Sequence, residues 1–101
     1  MRVVWSPLAI DRAGEAAANI AREKPGAAAK WVGELFFAAV GTLGRMPKRR
    51  RRVPETDRPE LRELLFGSYR VIYRIEPRRV SILTVRHAHR LLDLAELGEA
   101  P

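Results

Sequence analysis

Hydrophobic and polar positions alternate at the start of the chain, where Val3 and Trp5 lie on one side of residues 1–5. A two-residue period is typical of a strand, so we predict a short first strand. Ser6 and Pro7 then favour a helix start. A serine hydroxyl can accept a hydrogen bond from a free amide of the first turn, and proline at the first helical position has no N–H to leave unpaired.

Two amphipathic helices are predicted to follow and to form a hairpin. The first extends to about Lys24, and its apolar stripe consists of Ile10, Ala13, Ala17 and Ile20. Pro25 and Gly26 break this helix. The second covers about Ala27 to Leu43, and its stronger stripe consists of Val32, Leu35, Phe36, Ala39, Val40 and Leu43.

Two glycines, Gly33 and Gly41, flank Phe37 on a second face of the second helix. Glycine costs about 1 kcal/mol per helical position relative to alanine, so its presence here needs a structural reason. We predict close packing against the first helix, whose Gly14 is also small. A groove that accepts a partner is the alternative.

Three alternating segments follow in the second half of the chain, Leu61 to Phe66, Tyr69 to Ile75 and Arg79 to His87. Turn residues around Gly67 and Pro77 separate them, which predicts an antiparallel meander. A short helix over residues 91–97 is expected to end the fold. The predicted class is therefore α+β, with the meander and the first strand in one small sheet beside the helical hairpin.

The chain of 101 residues has the length of one domain. We expect a single domain over 1–101, with the hairpin at about 7–45, a basic loop at 46–59, and the sheet and C-terminal segment at 60–98. The chain has no cysteine, which excludes disulfides and thiolate metal sites and fits a reducing cytoplasm. It has no apolar run long enough for a membrane span. We expect a cytoplasmic protein with no membrane partner, no metal and no cofactor.

Positive charge is concentrated in the second half of the chain. Residues 1–44 carry a net charge of +1 and residues 45–101 carry +6, giving +7 in total. The densest cluster is Lys48-Arg49-Arg50-Arg51-Arg52, which Pro47 and Pro54 place in a loop. This charge predicts attraction to nucleic acid or to an acidic protein segment, although a solvated connector is an equally good interpretation.

The expected register of the meander brings a candidate site together. With even-numbered turns, Arg70 lies opposite Leu65 on one side and opposite Val85 on the other, so Arg70 and His87 share a face. The opposite face is the predicted core against the helices and consists of Leu64, Phe66, Val71, Tyr73, Ile75, Val80 and Ile82. A histidine beside an arginine has the groups needed for phosphodiester cleavage, but both residue types are more often structural at strand ends.

The most specific motif is Leu61-Arg62-Glu63-Leu64, followed by Tyr69-Arg70-Val71-Ile72-Tyr73-Arg74 and then by Val85-Arg86-His87. In this order and spacing, the segments resemble the RelE/ParE superfamily of toxins from prokaryotic toxin–antitoxin modules. The resemblance extends to nearly the whole chain. It implies a toxin that forms a hetero-oligomer with a cognate antitoxin, whose flexible acidic segment wraps it, and that arrests growth when the antitoxin is lost.

Two functional classes share this superfamily. RelE-like members cleave mRNA on the ribosome, whereas ParE-like members bind DNA gyrase and poison it without being enzymes themselves. Nuclease members commonly carry an aromatic residue near the chain end, but the last tyrosine here is Tyr73. His87 followed by His89, and the alanine-rich hairpin, look more like ParE-like chains. The resemblance therefore favours a gyrase-binding toxin, with the mRNA endoribonuclease as the alternative.

The resemblance also implies roles for individual residues. In the nuclease alternative the catalytic residues are Arg62, Arg70 and His87. In the gyrase-binding alternative the candidate target contacts are Arg74, Arg86, His89 and Arg90, near the terminal segment 91–97. Candidate antitoxin contacts are Trp31, Phe37, Arg49, Arg50, Arg51 and Arg52, because a large aromatic outside the core face can anchor an interface and a basic loop attracts an acidic segment. The aromatic pair could instead be buried against the first helix.

Overall fold

A five-stranded mixed sheet backs two helices in the computed structural model, which describes residues 1–98. The strands are β1 (Arg2–Trp5), β2 (Arg51–Arg52), β3 (Leu61–Phe66), β4 (Tyr69–Ile75) and β5 (Arg79–His87). Their order in the sheet is β1-β5-β4-β3-β2. β1 is parallel to β5 and the other neighbours are antiparallel. The predicted α+β class is confirmed.

The helical hairpin consists of α1 (Pro7–Glu23) and α2 (Ala27–Ala38), and α2 continues as a π-helical turn over Ala39–Leu43. The predicted second helix therefore has the right extent, although its last turn is wider than an α-helix. Ser6 caps α1 as expected, since its Oγ accepts a hydrogen bond from the Ala9 N–H at 3.0 Å. The same hydroxyl donates to the Leu83 carbonyl at 3.0 Å and so fixes the start of α1 to β5. No helix among residues 1–98 has both the length and the apolar character needed to span a bilayer.

The main core lies between the helices and one face of the sheet. Its buried residues are Ala9, Ala13, Ala16, Leu35, Ala39, Leu43, Leu64, Tyr69, Val71, Tyr73, Val80, Ile82 and Val85. The predicted sheet face is confirmed, but the predicted stripe of α1 is partly wrong, because Ile10 is 54% exposed. Alanines face the sheet instead, since their small side chains let the helix lie close to it.

A second, smaller core covers the opposite face of the sheet. It consists of Val53, Leu61, Ile72, Leu83, Leu92 and Leu97. The last two residues belong to the segment 91–98, which we call the C-terminal strap. The strap contains a single 3-10 turn, Leu94–Leu97, in place of the predicted short helix. Glu96 attaches it to the sheet by accepting a hydrogen bond from the Thr84 hydroxyl at 2.7 Å.

The register of β4 and β5 differs from the predicted one. Near the turn, Tyr73 pairs with Ile82, as even-numbered turns require, but Ile72 pairs with Thr84. Leu83 is therefore an extra residue in β5, a β-bulge that shifts every later pair by one position. Arg70 lies opposite Arg86 instead of Val85. The prediction that Arg70 and His87 share a face was wrong, because the bulge moves His87 to the helix side of the sheet.

The basic loop is more regular than the sequence suggested. A 3-10 turn over Pro47–Arg49 precedes β2, which adds a fifth strand to the sheet by pairing with β3. The Tyr73 hydroxyl donates to the Pro47 carbonyl at 2.5 Å and anchors the start of this loop. Burial raises the pKa of Tyr73 to about 12, so the phenol remains a donor at neutral pH.

Candidate functional site

Arg70 lies in an ion cluster on the face of the sheet that points away from the helices. Its guanidinium donates to Glu63 Oε1 from Nε at 2.9 Å and from Nη2 at 2.6 Å. It also donates to both carboxylate oxygens of Glu55, from Nη1 and from Nη2, each at 2.6 Å. Arg51 from β2 binds the other oxygen of Glu63. We call Arg51, Glu55, Glu63 and Arg70 the sheet-face ion cluster, and its geometry leaves Arg70 committed to carboxylates.

Burial makes this cluster a structural element. The Arg70 side chain is 7% exposed and that of Glu63 is fully buried. Hydrogen bonds from Arg70 hold the pKa of the Glu55 carboxyl below its ordinary value. In turn, hydrogen bonds to Glu55 and Glu63 raise the pKa of Arg70. A buried carboxylate needs such a partner, because an unpaired charge inside a protein is strongly destabilising. The cluster thus joins β2, β3, β4 and the loop at Glu55.

Stability is expected to fall as the pH is lowered through the acid range. The pKa of Glu55 is lowered chiefly by Arg70, and the pKa of Glu76 chiefly by Arg79. The unfolded chain therefore binds protons more readily, so this stabilisation is complete above the ordinary carboxyl pKa of 4.5 and is lost as the pH falls through the lower folded values. Urea unfolding between about pH 6 and pH 3 should show a shallower pH dependence for Glu55→Gln than for the parent. The surface variant Glu23→Gln should keep the parent slope, and equal slopes for both variants would contradict the role of Glu55.

The remaining candidate catalytic residues lie apart from Arg70. Arg62 pairs with Tyr73 across the strands and donates to the carbonyls of Arg50 at 3.1 Å and Pro59 at 3.2 Å. It therefore fixes the basic loop to the sheet. His87 lies on the helix side of the sheet, opposite Tyr69 in the pairing of β4 with β5. The structure does not bring Arg62, Arg70 and His87 together.

His87 belongs to a small polar cleft beside α1. Its ring packs edge-on against Tyr69, with the ring centroids 5.2 Å apart, and lies 5.3 Å from the ring of His89. The His89 N–H donates to His87 Nδ1 at 3.2 Å, which places the ring proton of a neutral His87 on Nε2. The same cleft includes Arg86 and Arg90.

Of the four candidate target contacts, two are held in ion pairs, and the other two form no ion pair within residues 1–98. Arg74 binds Glu76 at 3.0 Å, and Arg86 binds Glu96 of the C-terminal strap at 3.3 Å. His89 and Arg90 are exposed. Beside them the strap presents two apolar side chains, since Leu91 is 86% exposed and Leu94 is 55% exposed. We call Arg90, Leu91 and Leu94 the strap surface.

The candidate antitoxin contacts on α2 separate in the structure. Trp31 is half-buried and packs on Phe66 and Tyr69, with ring centroids 6.0 and 5.3 Å apart, so it belongs largely to the core. Phe37 is 83% exposed. A Cβ added at Gly33 or Gly41 would meet nothing within 4 Å, so the predicted tight packing of these glycines against α1 was wrong. This face of α2 is open.

The predicted apolar stripe of α2 is exposed in part, which the periodicity alone did not indicate. Val40 is 66% exposed and Phe36 is 41% exposed, beside Phe37. Met46, after the π-helical turn, is 52% exposed as well. The available signal was the width of the apolar face, since Phe36, Phe37 and Val40 together exceed what one sheet can cover. Large exposed apolar patches on a monomer mark interaction sites.

Basic side chains border this apolar face. A depression of about 580 Å³ is lined by Gly41, Thr42, Arg45, Met46, Arg49 and Arg50. Arg49 donates to the Met46 sulfur at 3.2 Å, and the Nε of Arg50 has no hydrogen-bond partner in the part of the chain that the structure describes. We call Phe37, Val40, Arg45, Met46 and Arg49 the α2 surface. It combines exposed apolar side chains with positive charge.

The other two arginines of the basic cluster point elsewhere. Arg51 is a member of the sheet-face ion cluster, and Arg52 donates to the Asp57 carbonyl at 2.7 Å. These two positions stabilise the loop itself. Within residues 1–98 no group of three or more His, Cys, Asp or Glu side chains is arranged to hold a metal ion.

Comparison with known proteins agrees with this architecture. A family model described as ParE toxin of type II toxin-antitoxin system, parDE, matches residues 3–92. Among solved structures, the fold is similar to one described as a chromosomal ParDE TA system from P. aeruginosa, with a TM-score of 0.72 and 17% sequence identity. That match covers 88% of this chain and 97% of the other. No sequence among the curated proteins matches this chain.

Proposed function

Because the chain belongs to the ParE toxin family of type II toxin–antitoxin systems, we propose that it arrests growth by binding DNA gyrase in the cytoplasm. A cognate antitoxin with a flexible acidic segment neutralises it by forming a hetero-oligomer with the toxin. In this proposal the protein is not an enzyme: it supplies a binding surface, and the chemistry belongs to gyrase.

The state of Arg70 is the observation that carries this choice over a nuclease. A nuclease needs a free cation to stabilise charge on the phosphate in the transition state. Arg70 is bound by Glu55 and Glu63 on one face of the sheet, while His87 lies on the other. The alternative of an mRNA endoribonuclease using Arg62, Arg70 and His87 therefore receives less support.

The strap surface is the proposed contact with the target. Arg90 provides a positive charge, and Leu91 and Leu94 provide apolar side chains that the fold itself does not cover. Apolar side chains that a fold leaves exposed mark interaction sites, and arginine is among the residue types enriched where interfaces gain most of their affinity. His89 extends the same surface. Arg86 contributes through the strap, since it is paired with Glu96, whereas Arg74 is held by Glu76 outside the strap.

The α2 surface is the proposed contact with the antitoxin. An acidic, partly apolar segment fits it, because carboxylates can pair with Arg45 and Arg49 while apolar side chains cover Phe37 and Val40. Complementary charge also speeds the encounter of two proteins, which suits a toxin that must be captured soon after synthesis. Arg50 borders the same depression, whereas Arg51 and Arg52 are occupied within the loop.

A gyrase supercoiling assay tests the proposed target. Purified toxin is expected to inhibit the supercoiling of relaxed plasmid, and Leu91→Ser should weaken inhibition by about tenfold because it removes an exposed anchor of the strap surface. Leu65→Ser is the matched control, since Leu65 is also an exposed leucine, at 53%, and lies near the end of β3 outside the strap surface. Full supercoiling activity at a large excess of toxin would contradict the proposal. Cleavage of ribosome-bound mRNA that His87→Ala abolishes would establish the nuclease alternative instead.

A further inference from the structure

A polar cleft lies between α1 and the carboxyl end of β5. Its inner part is a cavity of about 100 Å³ lined by Arg12, Glu15, Ala16, Asn19, Tyr69, Val85, Arg86, His87 and Arg90. Asn19, Tyr69, His87 and Arg90 also line an adjoining groove of about 400 Å³. Small-molecule sites usually enclose about 300–1,000 Å³, so the cleft and groove together are large enough for a ligand of several rings.

Hydrogen-bond donors dominate the lining of this cleft. Arg86 Nε is buried and has no hydrogen-bond partner among the described residues. His87 offers Nε2–H, because its Nδ1 accepts the His89 N–H. The Arg90 side chain makes no ion pair within residues 1–98, and the Asn19 amide contributes a further donor from α1. Donors from three directions converge on one small cavity.

Carboxylates near the cleft are mostly occupied. Arg12 binds Glu15 at 3.0 Å and Glu96 at 3.2 Å, and Arg86 binds Glu96 at 3.3 Å. Glu23 lines only the outer groove, where Arg22 balances its charge. Among the described residues, no carboxylate at the inner cavity therefore remains to balance the positive charge of Arg90. A surplus of donors beside a surplus of positive charge favours an anion.

We propose that this cleft binds the phosphate group of a nucleotide, with the phosphate at Arg90, His87 Nε2 and the Asn19 amide. A phosphate presents acceptor oxygens in several directions, which matches donors that approach from α1, from β5 and from the turn that follows β5. A carboxylate presents two oxygens in one plane and would leave donors unused. The groove gives room for sugar and base between α1 and the turn that joins β3 to β4. This inference does not depend on which macromolecule the toxin inhibits.

Titration with adenosine monophosphate tests the proposal directly. The chain has two histidines, so their ring signals in an NMR spectrum are easily assigned. Adenosine monophosphate should shift both histidine signals saturably, whereas adenosine without phosphate should not. A tetranucleotide without terminal phosphates distinguishes the two sources of the phosphate: tighter binding than the monophosphate indicates a nucleic-acid strand, and weaker binding indicates a free nucleotide. Equal binding of adenosine and its monophosphate would overturn the proposal, as would displacement of the nucleotide by a lower concentration of an acidic hexapeptide.

Variants locate the site. Arg90→Ala should weaken binding of adenosine monophosphate by about fivefold or more, and Asn19→Ala by about threefold, because each removes a donor to the ligand. Arg78→Ala is the matched control, since Arg78 is an exposed arginine in the turn at the other end of β5. It should change the affinity by less than about twofold. Equal weakening by Arg78→Ala and Arg90→Ala would show general attraction to positive charge and would overturn the assignment of the cleft.

Discussion

Arg70→Met is expected to lower the free energy of unfolding by about 3–5 kcal/mol, because it strands the buried carboxylate of Glu63 without its main partner. Glu63 is fully buried, and Arg51, its other partner, reaches it from the surface. Domains of this size have a total stability of about 5–15 kcal/mol, so the variant would lose a large share of it. Urea unfolding followed by circular dichroism at neutral pH measures the change.

Two further variants separate the stranded charge from the lost packing. Arg74→Met removes an arginine four residues further along β4, whose side chain is 27% exposed. This variant should lower the free energy of unfolding by less than about 1 kcal/mol. Adding Glu63→Gln to Arg70→Met should recover part of the lost stability, since the uncharged amide is cheaper to bury. If the double variant were no more stable than Arg70→Met, the cost would not come from the stranded carboxylate.

Phe37→Ala is expected to weaken binding of the cognate antitoxin by about 30-fold, which corresponds to the loss of about 2 kcal/mol at an interface anchor. Phe37 is the most exposed aromatic ring of α2, at 83%, and it lies one helical turn before Gly41, which lines the depression beside Arg45 and Arg49. Its removal should leave the fold intact, because the side chain contributes nothing to either core. Isothermal titration of the toxin with antitoxin measures the affinity.

The charged part of the α2 surface should act differently from the apolar part. Arg49→Ala is expected to reduce the salt dependence of antitoxin binding, since it removes a charge that pairs across the interface. Leu65→Ala provides the control for Phe37→Ala and should change the affinity by less than about twofold. If Leu65→Ala and Phe37→Ala weakened binding equally, the antitoxin would not be anchored on α2.

Local sequence patterns predicted the elements of this fold well. The cap at Ser6, the breaks at Pro25 and Gly67, and the two-residue period of β4 each have a local cause that the sequence shows directly. The core face of the sheet followed from the same period. These features depend on residues close in sequence, so no knowledge of the tertiary structure was needed.

The bulge at Leu83 was the main feature that local patterns could not predict. A leucine does not by itself indicate a bulge. The two-residue alternation of β5 is also interrupted here, because Ile82 and Leu83 are both apolar. The extra residue is accommodated because both faces of the sheet are covered: Ile82 enters the main core, and Leu83 enters the core beneath the C-terminal strap. One bulge was enough to separate Arg70 from His87.

The pairing of Arg70 was equally hidden in the sequence. The register of β3 and β4 places Glu63 on the face of Arg70, but Glu55 comes from the loop, whose path no periodicity describes. The exposure of Phe37 could be anticipated from its position outside the main stripe, whereas the half-burial of Trp31 depends on the β3–β4 hairpin reaching its ring. Sites built from long-range contacts depend on the tertiary structure, which local sequence patterns do not describe.

The parallel pairing of β1 with β5 has a consequence for how the toxin is made. It joins segments 77 positions apart, as the bond from Ser6 to Leu83 illustrates. Closing so long a loop costs entropy before the contacts it allows are formed, and such nonlocal topologies fold slowly. During translation the hairpin of α1 and α2 emerges before the strands that cover it. The growing polypeptide therefore lacks its finished sheet until β5 has left the ribosome, so the toxin cannot complete its fold before that point.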